Sequence, residues 1–496
     1  MMRIPLLFTF ILILSVQACV SDPLPQPGQK GQLILNDDSR YVDPHTFNHS
    51  GNGIYISPEG IRFEGRFENG LLHGHGTRED KGSIYTGNWH HGQRSGRGNY
   101  TETTGAEYEG FWQSDKRHGA GAQVYADGAM FEGTFVYDKR DGFGLYTTRN
   151  GTSFEGAWLN DQREGYGFER HFTGVVYEGM WSGDVKQGLG QESLPSGTHF
   201  HGEWQNGRKH GVGSEMHADG SAHQGTWSQG RILGMGERTN SAGVKFNGAW
   251  TRDLISSGLV TFPSNIEYAG QIFKDRGKSV RPQFLSWLKQ HAAAGDPHAQ
   301  YFLGLCFLDY QAPAREPKTA AVWLSSAAAQ GIAHAQYRLA TLIREENFAA
   351  ALDLLHSAAK NHHGMANAVL GEYYHAGQHV TRHLAQAVAY YEAAIIKGIP
   401  SAKNNLAWLL ATTESELANP ARAIRIIQPL AVYSGHWQYL DTLAAAHARL
   451  GHFKLAIDIQ QQSIMQLQRM SPEPSDLMIN IKARLNIYQL DKPYLE

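Results

Sequence analysis

The sequence predicts two solenoids in one chain, an all-β array of stacked antiparallel hairpins followed by an all-α array of helix hairpins. Three observations predict it. Glycine and alanine are segregated: residues 60–277 hold 42 of the 55 glycines and 11 alanines, whereas residues 278–496 hold 9 glycines and 40 alanines. An aromatic-X-glycine unit recurs every 22 or 23 residues through the first segment, and alanine-rich blocks recur every 33 to 36 residues through the second. Fixed periods of this length are the mark of repeat architectures, in which each unit buries its apolar face against its neighbours.

The remaining composition narrows the function classes. Residues 60–277 carry 22 Lys and Arg against 26 Asp and Glu, and residues 278–496 carry 19 against 16. Neither half is the basic body of a nucleic-acid binder, so no nucleic-acid partner is expected. The only cysteines are Cys19 and Cys306, which excludes a disulfide framework. Collagen is excluded because no Gly-X-Y register holds.

Residues 1–18 read as an export signal, with Arg3 as the positive start and an apolar stretch from Ile4 to Leu14 that is short for a membrane span. The stretch closes on Val16-Gln17-Ala18-Cys19, which resembles a bacterial lipobox. The resemblance implies that Cys19 becomes the lipidated first residue of the mature protein. With Val20 rather than aspartate after it, the implied address is the outer membrane facing the periplasm. Ordinary secretion, with cleavage after Ala18, is the other reading. Residues 19–50, with Pro23, Pro25 and Pro27, read as a tether stiffened by proline.

The β array is assigned to 51–277. Its aromatic-X-glycine units start at Phe63, Tyr85, Tyr108, Phe131, Phe154, Tyr177, Phe200 and Phe246, with His223 once in the aromatic slot. In Tyr108-Glu109-Gly110-Phe111-Trp112 the alternate residues Tyr108, Gly110 and Trp112 share one face of a strand. Glycine between the aromatics leaves room for rings to lie across the backbone. Asn69-Gly70, Asn160-Asp161 and Asn206-Gly207 supply one hairpin turn. Asp127-Gly128, Asn150-Gly151, Ser196-Gly197 and Asp219-Gly220 supply a second. These units, with Lys116-Arg117-His118-Gly119-Ala120-Gly121 and its counterparts, resemble the MORN repeat.

Two rows in this array could bind. The rings Tyr108, Trp112, Trp158, Tyr177, Trp181 and Trp204 either form the core of a single-layer sheet or line a groove for an envelope polymer or lipid. Arg94, Lys116, Arg117, Lys139, Arg140 and Arg163 fall just after the first turn and should line one edge, where they either meet anions such as lipid headgroups or pair locally with acidic neighbours. His73, His118 and His210 share one repeat slot. The pairs His90-His91 and His362-His363 lack helical i, i+4 spacing or a nearby cysteine pair, so no metal site is expected.

The α array begins at 283. Ala294-Gly295-Asp296-Pro297-His298-Ala299-Gln300-Tyr301 is echoed by Ala333-His334-Ala335-Gln336-Tyr337-Arg338, and further units start at Gly364 and Gly398. Small residues at three- and four-residue spacing let helices approach closely. Residues 283–400 resemble Sel-one-like repeats and 401–496 resemble tetratricopeptide repeats, ending in a capping helix from Leu477 to Tyr488. Such arrays present a concave peptide groove, for which Gln300, Gln336, Arg338, Lys403 and Asn404 are candidate contacts. Cys306, in an apolar helix, reads as a small buried hydrophobe.

No nucleophile elbow, phosphate loop, zinc spacing or dinucleotide fingerprint is present, and no cofactor is expected. The sequence therefore points to a non-enzymatic, membrane-anchored scaffold that binds protein partners through its helical solenoid and its sheet. The alternative is a binder of an envelope polymer or lipid acting through the aromatic-glycine face.

Overall fold

The computed structural model describes residues 32–35, 40–41, 50–251, 254–274, 279–308, 316–470 and 476–496. It divides into two compact units, 1–142 and 143–496. The export signal of 1–18, Cys19 and most of the tether lie outside the described residues.

In the first unit, antiparallel strands follow one another in chain order from Gly51–Ile56 to Met130–Val136. Glycine meets glycine at each crossing: Gly53 faces Gly65, Gly76 faces Gly87, Gly98 faces Gly110, and Gly121 faces Gly133. A line of residues without side chains thus runs across the strands. The hairpins closed by the first turn also carry a register irregularity just beyond the glycine, as between Gly110 and Trp112. A bulge there sharpens the twist and re-aims the tryptophan.

The second unit repeats this pattern from Ser153–Leu159 to Glu267–Gly270, with Gly156 opposite Gly167, Gly179 opposite Gly190 and Gly202 opposite Gly213. A short strand pair, Phe273–Lys274 with Ser279–Val280, leads into the helices. Among the described residues these are α1 Pro282–Ala293, α2 Pro297–Leu308, α3 Pro317–Ala329, α4 Ala333–Ile343, α5 Phe348–Lys360, α6 Gly364–Ala376, α7 Leu384–Ile396, α8 Pro400–Thr412, α9 Pro420–Ser434, α10 Trp437–Arg449, α11 Phe453–Met470 and α12 Asp476–Tyr488. Proline opens α1, α3, α8 and α9, where its missing N–H costs nothing. Asn347 and Asn419 cap α5 and α9 by accepting from Ala350 N and Arg422 N.

Small residues set the helix spacing. A Cβ at Gly304 of α2 would stand 2.8 Å from Leu324 of α3, and one at Gly371 of α6 would stand 2.5 Å from the Tyr391 ring of α7. The helices are fastened to the second-turn edge of the strands in this unit. Lys403 Nζ of α8 donates to the Pro195 carbonyl at 2.6 Å. Gly398 lies so close to Ala218 that an added Cβ would come within 2.2 Å of the alanine Cβ. Val244, Val260 and Phe262 share one buried cluster with Phe284 and Leu288 of α1 and Leu303 of α2.

The glycine line is testable at a single residue. A Cβ on Gly98 would stand 2.2 Å from the Tyr85 hydroxyl oxygen and 2.5 Å from its Cζ, whereas one on Gly105, in a turn at φ +85°, would meet nothing within 4 Å. Gly98→Ala is expected to destabilise by about 2–3 kcal/mol through overpacking, and Gly105→Ala by about 1 kcal/mol through its backbone angle alone. Urea unfolding followed by tryptophan fluorescence measures both, and equal losses would contradict the ring-on-glycine packing.

Candidate functional site

The six rings singled out on the sheet face are buried. Tyr108, Trp112, Trp158, Tyr177, Trp181 and Trp204 are between 0% and 5% exposed. Each tyrosine or phenylalanine ring lies over the facing glycines of its own hairpin, as Tyr108 lies over Gly110 and Gly121. Its tryptophan meets it edge-on. Tyr108 and Trp112 stand 5.1 Å apart at 89°, and Tyr177 and Trp181 stand 5.2 Å apart at 88°. The next tryptophan closes the other side of the ring, with Tyr177 to Trp204 at 5.3 Å. Tyr108 Oη donates to the Phe111 carbonyl and Trp112 Nε1 to the Gly98 carbonyl, so the polar ends of this pair are satisfied inside the sheet. Burial pushes the Tyr108 hydroxyl up to about 12. These rings are core, and their faces are covered.

Half of the basic row covers Tyr108, Trp112 and Trp181, and Lys186 covers Tyr177 and Trp204. Arg94 lies 4.0 Å from the centre of the Trp112 ring, and Arg163 lies 3.9 Å from that of Trp181. Each is held there by an aspartate about one repeat further on. Asp115 Oδ1 accepts from both the backbone N and Nε of Arg94, Asp138 from those of Arg117, and Asp184 from those of Arg163. Arg140 lies over Phe131 at 5.7 Å. Lys116 and Lys139 are exposed beside the turns, with Lys116 Nζ 5.9 Å from the Tyr137 ring. Between the Arg94 and Arg117 side chains lies a depression of about 610 Å³, floored by Tyr108 and Trp112 and bordered by Asp115 and Asp138. Its cationic rim is already paired with acid, which answers why a regular basic row coexists with a slight acidic excess.

The opposite face of the second unit carries a feature the sequence reading passed over. Between the two glycines of each Gly-X-Gly, the middle residue points away from the rings. In this unit those residues are Phe143, Tyr166, Leu189, Val212 and Met235, at 57–64% exposure. Met180, opposite Tyr166 and also exposed, widens the row, and Ser257 ends it at the next repeat. With two strands of about 4.8 Å per repeat, these five residues mark a row roughly 40 Å long. The same slot in the first unit holds His75, Arg97 and Ala120. The signal was present in the sequence as the apolar character of that one slot.

In the helical array, two of the candidate groove residues are taken up structurally. Gln300 and Gln336 are buried, and each donates Nε2 to a carbonyl eight residues back, Ala292 and Ala328, at 3.1 Å. Asn404 accepts from Thr442 Oγ1 at 2.8 Å. Lys403 is the residue that reaches Pro195, and its burial there lowers its pKa. Arg338 lines a cleft of about 530 Å³ with Asp219, Ser241, His334, Tyr337 and His363. Cys306 is buried, as its apolar helix implies.

His363 gives this cleft a pH dependence. Its Nδ1 accepts from Ala366 N at 3.2 Å and so caps α6, which requires the unprotonated ring. Burial, and secondarily the neighbouring His334, lower its pKa from 6.5 to about 3. A histidine with a depressed folded pKa adds stability above its unfolded pKa and loses it as pH falls below that value. Stability should therefore drop by about 1–2 kcal/mol on this account between pH 6.5 and 5. His363→Asn keeps a cap of the kind seen at Asn347 and Asn419 and should shrink the drop, as thermal unfolding at a series of pH values would show. An unchanged profile would contradict the role.

The MORN repeat model matches residues 63–81, 85–105, 108–130, 131–153, 154–175, 177–199, 200–222 and 223–243. No curated protein matches the chain. Among solved structures, a protective antigen of uropathogenic Escherichia coli displaying an SLR fold is 17% identical, aligned over 44% of this chain and 53% of that one, with a TM-score of 0.34. The chain thus spans about half the length of that structure. A Sel1 repeat protein from Oxalobacter formigenes is 16% identical over 42% and 93%, at a TM-score of 0.32. A putative Sel1 repeat protein from Klebsiella pneumoniae is 19% identical over 41% and 99%, at 0.26. The chain carries eight MORN repeats over residues 63–243, ahead of a helical-repeat array similar to Sel1 and tetratricopeptide repeats.

Proposed function

We propose that this protein is a non-enzymatic scaffold, exported and anchored by lipid on Cys19 at the periplasmic face of an outer membrane, that holds a protein partner against its sheet and helical array. The observation that carries the binding half of this reading is the exposed stripe of Phe143, Tyr166, Leu189, Val212 and Met235. Large apolar side chains aligned at one exposed slot in five successive repeats, with Glu203 and Thr226 between some of them, favour an interaction surface. The five side chains offer apolar surface and, apart from the Tyr166 hydroxyl, no polar group, which suits a protein partner better than a sugar or a phosphate. The aromatic-glycine face is a weaker base for polymer or lipid binding, because its rings are buried beneath the repeats' own arginines and lysines. No helix among the described residues is long and apolar enough to cross a membrane, and the anchoring half of the reading rests on the lipobox resemblance at Val16 to Cys19.

Two measurements test the two halves. A photo-crosslinking amino acid at Val212 is expected to trap a defined protein in cells, while the same probe at Ala120, the equivalent slot without an apolar stripe, is expected to trap far less. Equal yields, or none from Val212, would remove the stripe as the binding surface. Metabolic labelling with an alkynyl fatty acid is expected to tag the wild-type chain and not Cys19→Ser. An unlabelled wild type would end the anchoring half.

A further inference from the structure

The first-turn edge of the first unit brings three histidines together. His90 and His91 form the turn between strands Ser83–His90 and Gln93–Thr101, and His73 comes from the strand of the preceding repeat. One nitrogen from each of the three lies within 4.8 Å of the others. The ring centres stand 5.2 Å apart for His73 and His90, 5.1 Å for His73 and His91, and 4.4 Å for His90 and His91. Glu68 Oε2 lies 3.3 Å from His73 Nδ1. Among the described residues this is the one group of three such ligand atoms brought so close.

The residue types at these slots are unlike those of the other repeats. The slot of His90 holds Gln113 and Gln205 elsewhere, and the slot of His91 holds Asn69, Asn160 and Asn206. Those asparagines suit a left-handed turn residue, and His91 adopts the same backbone angle, φ +47°. The repeat itself therefore does not call for imidazole at either slot. The third slot, by contrast, has a general role. In the second unit Glu164 and Gln187 occupy it, and each accepts from a backbone N–H in the next repeat's turn, Gly183 N at 2.9 Å and Asn206 N at 3.1 Å. A side chain at this slot is thus placed against the following turn, and in the first unit that placement delivers His73 to His90 and His91.

We propose that His73, His90 and His91 form a binding site for a late first-row divalent cation such as Zn²⁺, with Glu68 as the carboxylate that orients His73. Three imidazoles with a carboxylate beside them suit zinc, nickel, cobalt or copper and not the oxygen-seeking calcium or magnesium. A carboxylate on the far nitrogen of a ligating histidine fixes its tautomer and ring direction. Nitrogens about 2.1 Å from a tetrahedral zinc are about 3.4 Å apart. The three nitrogens must close by up to about 1.4 Å, and side-chain rotations of the exposed His90 and His91 supply that. The cation would bridge one repeat's strand to the next repeat's turn and clamp them together. Reading along the chain missed the site because the third ligand stands 17 and 18 residues before the pair and reaches it only across the strands.

The test uses the purified full chain, stripped of metal with a chelator and titrated with Zn²⁺ by calorimetry, with Co²⁺ absorption as a second readout. The wild type is expected to bind one Zn²⁺ at micromolar concentration or below, above any weak binding by its other histidines, and to give the visible bands of low-symmetry Co²⁺. The double variant His90→Gln, His91→Asn places sister-repeat residues in both slots, so the turn is retained, and circular dichroism checks it. It should lose that one equivalent, with affinity lowered at least about 100-fold, while His118→Asn should keep it. A wild type without such an equivalent, or a double variant that binds like the wild type, would overturn the proposal.

Discussion

The sheet depends on a ring resting on bare backbone. A single-layer sheet has no second layer to bury its apolar face, and this one makes a core from its own glycines. Where Gly110 faces Gly121, no Cβ intervenes, and the Tyr108 ring drops onto the main chain. The register follows from this. Side chains alternate with period two, so a slip of one residue would put glycine under no ring and a ring against a Cβ. The repeat length follows as well, because every second strand must return an aromatic, a glycine and an aromatic, usually tryptophan, to the same crossing points.

The polar groups are arranged around that core. An arginine laid over an indole and held by an aspartate from further along the chain, as Arg163 is by Asp184 over Trp181, uses its flat guanidinium as a lid and satisfies its donors in place. In the second unit the helices take the second-turn edge, through Lys403 at Pro195 and Gly398 at Ala218. With one face covered by its own cations and one edge taken by helices, the row from Phe143 to Met235 lies on the sheet face that neither covers.

Much of this architecture was legible in the sequence. The alternation of Tyr108, Gly110 and Trp112 predicts strands with rings and glycine on one face, and turns such as Asn206-Gly207 predict hairpins. Small residues at helical spacing predict close helix pairs, which Gly304 against Leu324 and Gly371 against Tyr391 realise. The choice between a ring core and an open groove was not legible, because it turns on where Arg94 and Arg163 send their guanidinium groups, and a local sequence does not carry that. Gln300 and Gln336 looked like solvent-facing polar residues because their acceptors, Ala292 and Ala328, are carbonyls at the end of the previous helix. The fastening of helices to turns was hidden for a similar reason: Pro195 and Ala218 have no pattern that marks them as contacts. The His73 cluster needed the strand order before its members could be seen as neighbours.

A core made of rings on glycine requires that the repeat tryptophans be closed to solvent. The chain has 11 tryptophans, seven of them in the repeat slot from Trp89 to Trp250. Fluorine NMR of the full chain labelled with 5-fluorotryptophan, assigned by single substitutions and recorded in H₂O and D₂O, reads the exposure of each. The seven repeat signals should be dispersed and nearly free of a solvent isotope shift. Isotope shifts at these seven like that of free 5-fluorotryptophan would show the ring face to be open and would contradict a core made of rings on glycine.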